Sequence, residues 1–119
     1  MTPNDIMQGL QAKNRELTSK NAELSSLVDA AAEAERVYHI AYAKRIIELK
    51  AEGHPVTLIP TLAKGDPAVS DLRFKQAVAD GVLDACRQRI KDVREAIGTY
   101  RSLLRWLREE MTLTPSQEA

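Results

Sequence analysis

The chain has 119 residues, with 17 lysines and arginines balanced by 17 aspartates and glutamates. This length predicts one domain, and zero net charge excludes a global field that would draw the protein to nucleic acid or to an anionic membrane. One cysteine excludes an internal disulfide, which is typical of a reducing cytoplasm. The apolar runs are far shorter than the roughly 20 residues that cross a bilayer, so we expect a cytoplasmic protein without membrane contact.

The first half of the chain predicts one long helix, from about residue 4 to about residue 52. Asn14 and Asn21 fall at a positions of its heptad frame, where a buried Asn fixes register at a cost in stability. Alternatively, residues 1–25 form a partly exposed, fraying end. The apolar members of the frame are Met7, Leu10, Leu17, Leu24, Val28, Ala31, Tyr38, Tyr42 and Leu49.

Residues 53–66 form a connection that carries its own apolar side chains, which predicts a structured tip. Gly53 suits the position just after the first helix, where a left-handed backbone is common. Thr57 is expected to cap a short turn from Leu58 to Lys64. The apolar side chains of this turn are expected to close the open end of the pair of long helices and are candidate interaction residues: Leu58, Ile59 and Leu62.

A second long helix is predicted from about residue 67 to about residue 111, followed by a tail over 112–119. Asp66 suits its N-cap and Pro67 its first turn. With Val69 at position a, twelve of thirteen seam positions are apolar and Gln76 is the exception. The a line is Val69, Gln76, Leu83, Ile90, Ile97, Leu104 and Met111, and the d line is Leu72, Ala79, Cys86, Val93, Tyr100 and Leu107.

These elements predict an all-α fold: a long antiparallel two-helix hairpin, resembling a coiled coil, with a short helical tip, in a single domain over 1–119. Several apolar residues lie off the two seams, and exposing them would leave a patch of the kind that marks an interface. We therefore expect a homodimer that forms a four-helix bundle, with Trp106 as a further candidate interaction residue. The off-seam residues are Ile40, Ile46, Ile47, Val78, Val82, Leu103 and Trp106.

Four arginines seven residues apart form what we call the arginine ladder: Arg87, Arg94, Arg101 and Arg108. All four occupy e positions, beside the seam. Charged residues that flank a seam set pairing and orientation, and Glu16 and Glu23 are expected to face the ladder across the hairpin or the dimer. The ladder is therefore predicted to be mainly a salt-bridged seam edge. The alternative is a nucleic-acid site, because a row of arginines can follow a phosphate backbone.

Residues typical of catalysis or metal binding do not form a recognisable set. His39 and His54 lack metal-ligand spacing to each other or to Cys86. The Ala-Lys-Gly-Asp-Pro stretch around Lys64 lacks the P-loop pattern. The sequence therefore predicts a protein that is not an enzyme and that uses no cofactor, metal or small-molecule ligand.

Residues 41–82 resemble a family of small proteins encoded by tailed bacteriophages and prophages. The matching segments are residues 43–49, the Glu-Gly-x-Pro-Val-Thr-Leu-Ile tip at 52–59, the turn at 63–66, and Val-x-x-Leu-Arg at 69–73. The resemblance implies an accessory of phage DNA replication or recombination that acts through protein partners in the host cytoplasm. It transfers no catalytic residue. Direct nucleic-acid binding through the arginine ladder and a structural or scaffold role are the alternatives.

Overall fold

The computed structural model describes residues 1–113 and shows three helices. Helix α1 spans Pro3–Ala51, α2 spans Ile59–Gly65, and α3 spans Pro67–Leu113. No strand occurs within residues 1–113, so the predicted all-α class is confirmed. Helix α3 continues two residues beyond its predicted end, and positions 114–119 of the predicted tail lie outside the described residues.

Local hydrogen bonds fix both ends of α1. At the start, the Asp5 N–H donates to the Thr2 hydroxyl at 3.1 Å and the Thr2 backbone N–H donates to the Asp5 carboxylate at 2.9 Å, which is a capping box. The backbone bond to Thr2 holds the pKa of Asp5 below its usual value. At the end, Gly53 has φ +82°, and the His54 N–H donates to the Leu49 carbonyl, as in a Schellman motif. The predicted role of Gly53 is confirmed.

The tip and the start of α3 differ in how they are capped. The predicted cap at Thr57 is wrong, because the N-cap of α2 is Leu58, which makes no side-chain capping bond. The start of α3 follows the prediction. The Asp66 carboxylate accepts a hydrogen bond of 3.2 Å from the Val69 N–H, and Pro67 is the first helical residue, where its missing N–H costs nothing.

The chain divides into two compact units, each an antiparallel pairing of α1 with α3. The first unit joins Met1–Glu23 to the chain from Cys86 onward, and the second is Leu24–Ala85. The predicted seam of α3 is confirmed in both units. Its buried members are Val69, Leu83, Cys86, Ile90, Val93 and Ile97, and all the others are half-buried except Met111, which is exposed.

The seam of α1 differs from the predicted frame by one line of residues. The line through Leu10, Leu17 and Ala31 is buried or half-buried as predicted, but Asn14 and Asn21 are exposed. As far as residue 41, the second seam line instead lies one residue earlier than the predicted one, whereas the predicted members Tyr42 and Leu49 are half-buried and buried. The earlier line is Ile6, Lys13, Lys20, Leu27, Ala34 and Ala41. Lysine can occupy a seam because its aliphatic stem packs while its ammonium reaches solvent. The predicted burial of Asn14 and Asn21 is wrong, because both are exposed.

The second unit has an apolar core where α2 meets α1. Ile59 and Ala63 of α2 pack with Leu49 of α1, and burial of these side chains closes this part of the hairpin. Gln76 lies in the α3 seam of the same unit, and its side-chain oxygen is buried without a hydrogen-bond donor among the described residues. The single polar interruption of the predicted α3 seam is therefore also an unsatisfied polar group.

Candidate nucleic-acid interface

Three contacts set the register of α1 against α3 in the first unit. The Glu16 carboxylate accepts two hydrogen bonds from Arg89, at 2.5 and 2.8 Å. The Cys86 thiol lies 3.7 Å from the Lys20 carbonyl oxygen, and Gly9 lies against the ring of Tyr100. Residue numbers rise along one helix as they fall along the other, which is the predicted antiparallel order.

The contact between Gly9 and Tyr100 is the tightest of the three. A Cβ built on Gly9 would lie 2.7 Å from the Cζ and Oη atoms of Tyr100 and 2.8 Å from Cε1. Only a glycine leaves room for this ring without a shift, so this mid-helix glycine has a packing role that offsets its poor helix propensity. The contact places Arg101, one residue after the tyrosine, at the level of Gln8, the neighbour of Met7.

The acidic residues expected to face the arginine ladder have other partners. Glu16 binds Arg89, which lies on the opposite flank of the α3 seam from the ladder, and Glu23 pairs with Lys20 of its own helix at 3.3 Å. The hydrogen bonds from Arg89 hold the pKa of Glu16 below its usual value, and the same contact raises the pKa of Arg89. Within the first unit, the structure therefore does not bring the ladder to these carboxylates.

The ladder is one edge of a wider basic face on α3. A second line of residues, adjacent to the ladder on the helix surface, contributes Lys91 and Arg105, with Gly98 between them. Together the two lines follow the i, i+3, i+4 spacing of one helix face. We define the basic face as Arg87, Lys91, Arg94, Arg101, Arg105 and Arg108, all of which are exposed.

Most cations of the basic face are not neutralised by the chain itself. Among residues 1–113, no ion pair forms at Lys91, Arg94, Arg101, Arg105 or Arg108. The first unit carries ten lysines and arginines against seven aspartates and glutamates over 1–23 and 86–113, a net charge of +3. The zero net charge of the whole chain therefore conceals a local excess of positive charge.

The flank of α1 next to the basic face carries no charge. Because Glu16 and Arg89 lie on one side of the helix pair, the ladder lies on the other, beside the α1 line that passes through Met7, Asn14 and Asn21. At the register given by Gly9 and Tyr100, Arg94 is level with residue 15, the neighbour of Asn14. The full set on this flank is Asn4, Met7, Gln11, Asn14, Thr18 and Asn21, every one exposed.

This arrangement suits a polyanion. Arginine and lysine side chains bind phosphate oxygens, and asparagine, glutamine and threonine are also common donors to phosphate and sugar. From Arg87 to Arg108 the face is about 32 Å long at 1.5 Å per residue, close to the ~34 Å of one turn of duplex DNA. No tryptophan, tyrosine or phenylalanine belongs to the basic face or the neutral flank, so neither offers a stacking platform for unpaired bases.

Sequence reasoning found the ladder but missed Lys91, Arg105 and Arg89. The i+4 and i+3 offsets from each ladder arginine were the available signal for Lys91 and Arg105. The role of Arg89 depended on the frame of α1, which the sequence did not reveal. With the α1 frame that the structure shows, Glu16 falls on the same flank as Arg89, and the asparagines fall beside the ladder.

The other candidate interaction residues occupy different environments. Ile59 is 3% exposed and belongs to the core, whereas Leu58 and Leu62 are 51% and 40% exposed. Trp106 is 55% exposed and lies on α3 away from the basic face. Of the tip residues singled out, the structure therefore assigns Ile59 to closing the hairpin and leaves Leu58 and Leu62 accessible to a partner.

A second charged cluster surrounds Arg45 in the second unit. Arg45 donates to Glu48 at 3.0 Å and lies 3.6 Å from Glu52 and 3.4 Å from Asp66. The bond to Glu48 is the largest cause of the raised pKa of Arg45. These contacts join the end of α1 to the start of α3, so we assign the cluster a structural role. No group of three or more potential metal ligands occurs within residues 1–113.

Comparison with known proteins gave no match to a protein family, a characterised protein or a solved structure. None of the helices described over residues 1–113 combines the length and the apolar character needed to cross a membrane.

Proposed function

We propose that this chain is a non-enzymatic binding protein whose basic face contacts the phosphate backbone of duplex nucleic acid. The observation that carries the proposal is the uncharged flank beside the basic face. Within the hairpin, the seam-edge hypothesis required acidic residues opposite the ladder, and the positions opposite it are instead Met7, Asn14 and Asn21. Among residues 1–113, no ion pair forms at Lys91, Arg94, Arg101, Arg105 or Arg108, and these five cations are available to phosphate.

Binding of this kind is independent of sequence. The side chains of the basic face are long and cationic, which suits phosphate contacts that position a protein without reading bases. The resemblance to phage proteins encoded among replication and recombination genes supports a role in DNA metabolism, in the host cytoplasm if the gene is of phage origin. We propose a DNA-binding accessory of those processes.

The test compares two triple variants that lose the same charge. Arg94, Arg101 and Arg108 are replaced by Gln in the first, and the exposed Lys44, Lys50 and Lys64 of the second unit are replaced by Gln in the control. Each phosphate contact contributes about 0.9 to the salt exponent, so three lost contacts weaken duplex binding about a hundredfold at 0.15 M salt.

Equal weakening by the control variant would show that only net charge matters and would contradict the proposal. The ladder variant is expected to keep its melting temperature, because Gln and Arg have similar helix propensity and no ion pair is lost among residues 1–113. A marked fall in its melting temperature would instead support the seam-edge hypothesis.

A second candidate function is binding of a protein partner through the tip. Three apolar side chains within seven residues are exposed there: Val56 at 73%, Leu58 at 51% and Leu62 at 40%. Replacing Leu58 and Leu62 with Ser should leave the melting temperature unchanged and abolish capture of a partner from infected cells. Retained capture by this variant would argue against the tip as the docking surface.

We also propose that the chain self-associates as a dimer, so that two hairpins contribute four helices. Most of the off-seam apolar side chains are exposed, which favours an interface. These are Ile40 at 55%, Ile47 at 67%, Val78 at 49%, Val82 at 47% and Trp106 at 55%. A folded monomer at micromolar concentration in sedimentation equilibrium would contradict this proposal.

A further inference from the structure

One exposed row of large apolar side chains runs along α3 in the second unit. Phe74, Val78 and Val82 are 65%, 49% and 47% exposed, and their spacing of four residues places them in a single ridge on the helix surface. We call these three residues the apolar ridge. An exposed apolar row of this kind marks an interaction surface.

A row of small residues lies directly beside the apolar ridge. Ala77, Gly81 and Ala85 each follow a ridge residue by three positions and are exposed. A Cβ added to Gly81 would meet nothing within 4 Å, so packing within its own chain does not require this glycine, although glycine is a poor helix former. We call these three residues the small-residue groove.

The ridge and the groove are complementary to each other under a two-fold rotation. We infer that a second copy of the chain covers this face, with α3 packed on α3 so that the ridge of each copy lies in the groove of the other. An axis between residues 79 and 80 places Val78 over Gly81, Phe74 over Ala85, and Val82 over Ala77. A two-fold interface must use one patch twice, and this patch contains both complementary halves.

The same register also matches charges. Lys75 lies 3.6 Å from Asp71 of its own helix, and the rotation brings it level with Asp84 of the other copy, so residues of opposite charge border the apolar contact on both sides. Ridges spaced four residues apart on both helices pack at a crossing angle of about −50°, steeper than the roughly 20° of an aligned four-helix bundle. The inference rests on the proposed dimer and specifies where its interface lies.

The experiment measures the dimer dissociation constant of the full chain by sedimentation equilibrium. Gly81→Leu fills the small-residue groove without meeting its own chain, so the helix still forms while dimerisation weakens about tenfold or more. Gly98→Leu is the matched control, because Gly98 is also helical and also has no atom within 4 Å of an added Cβ. The control is expected to dimerise like the wild type.

Charge reversal provides an independent test of the same interface. Lys75→Asp and Asp84→Lys should each weaken the dimer, and combining them should restore it, because the pair is reversed rather than removed. A dimer that survives Gly81→Leu and both single reversals would overturn this interface while leaving self-association intact. A monomeric wild type would overturn the dimer and the interface together, whereas loss of DNA binding alone would affect neither.

Discussion

Replacing Gly9 with Ala tests the register on which the position of the basic face depends. The new Cβ would lie 2.7 Å from two atoms of the Tyr100 ring, whereas carbon atoms pack best at about 3.5–4.0 Å. The ring must therefore retreat by about 0.8 Å or more. Overpacking of this kind costs about 1–3 kcal/mol, and the better helix propensity of Ala returns about 1 kcal/mol.

Gly98→Ala is the matched control, because Gly98 has open space around an added Cβ. This control should stabilise the protein by about 1 kcal/mol, or roughly 4 °C in melting temperature. We expect Gly9→Ala to be about 1–3 kcal/mol less favourable than Gly98→Ala in urea unfolding. In a Tyr100→Ala background the two glycine substitutions should have equal effects. Equal effects with Tyr100 present would refute the close approach and the register derived from it.

Three further predictions follow from burial and charge. Ile6→Ala should cost about 2–4 kcal/mol of unfolding free energy, because Ile6 is 2% exposed. Met7→Ala should cost far less, because Met7 is 43% exposed. Equal losses in urea unfolding would instead favour the frame of α1 that was predicted from the sequence. Gln76→Leu should raise stability by about 1–3 kcal/mol, because it removes a buried oxygen without a donor, and a loss of stability would contradict this. The pKa of Glu16 is lowered in the folded state from 4.5, so the contribution of Glu16 to stability is present above that value and is lost as pH falls through the lower folded pKa. Glu16→Gln should therefore reduce the loss of stability at acidic pH. An unchanged loss at acidic pH would argue against the contact.

The sequence predicted α3 well because its seam is almost wholly apolar. Twelve of thirteen positions fit one frame, so the residues alone decide which line is buried, and Asp66 and Pro67 mark the start of the helix. The end of α1 was equally clear, because Gly53 can adopt the left-handed backbone that the turn requires.

The frame of α1 was harder because its seam includes Lys13 and Lys20. The line through Lys13 and Lys20 and the line through Asn14 and Asn21 each carry two polar residues here, so the pattern of apolar residues does not distinguish them. The burial of a lysine stem depends on whether its ammonium can reach a partner or solvent. Here Lys13 reaches Glu16 at 3.4 Å, a contact that the pattern of apolar residues does not reveal.

The site depended on that same frame. Its cations were visible in the sequence, but the opposing helix was expected to present carboxylates. In the frame that the structure shows, Glu16 lies on the flank of Arg89, and amides and a methionine lie beside the ladder. This placement changes the preferred interpretation from a salt-bridged seam edge to a phosphate-binding face.

The most direct test of the proposed function is the salt dependence of binding to a duplex of about three turns, measured by fluorescence anisotropy between 50 and 300 mM salt. Five cations that each meet a phosphate predict a slope of about −4 to −5 for log K against log salt. Replacing Arg94, Arg101 and Arg108 with Gln should reduce the slope to about −2. Equal slopes for the two proteins, or no binding by the wild type at 50 mM salt, would contradict the account.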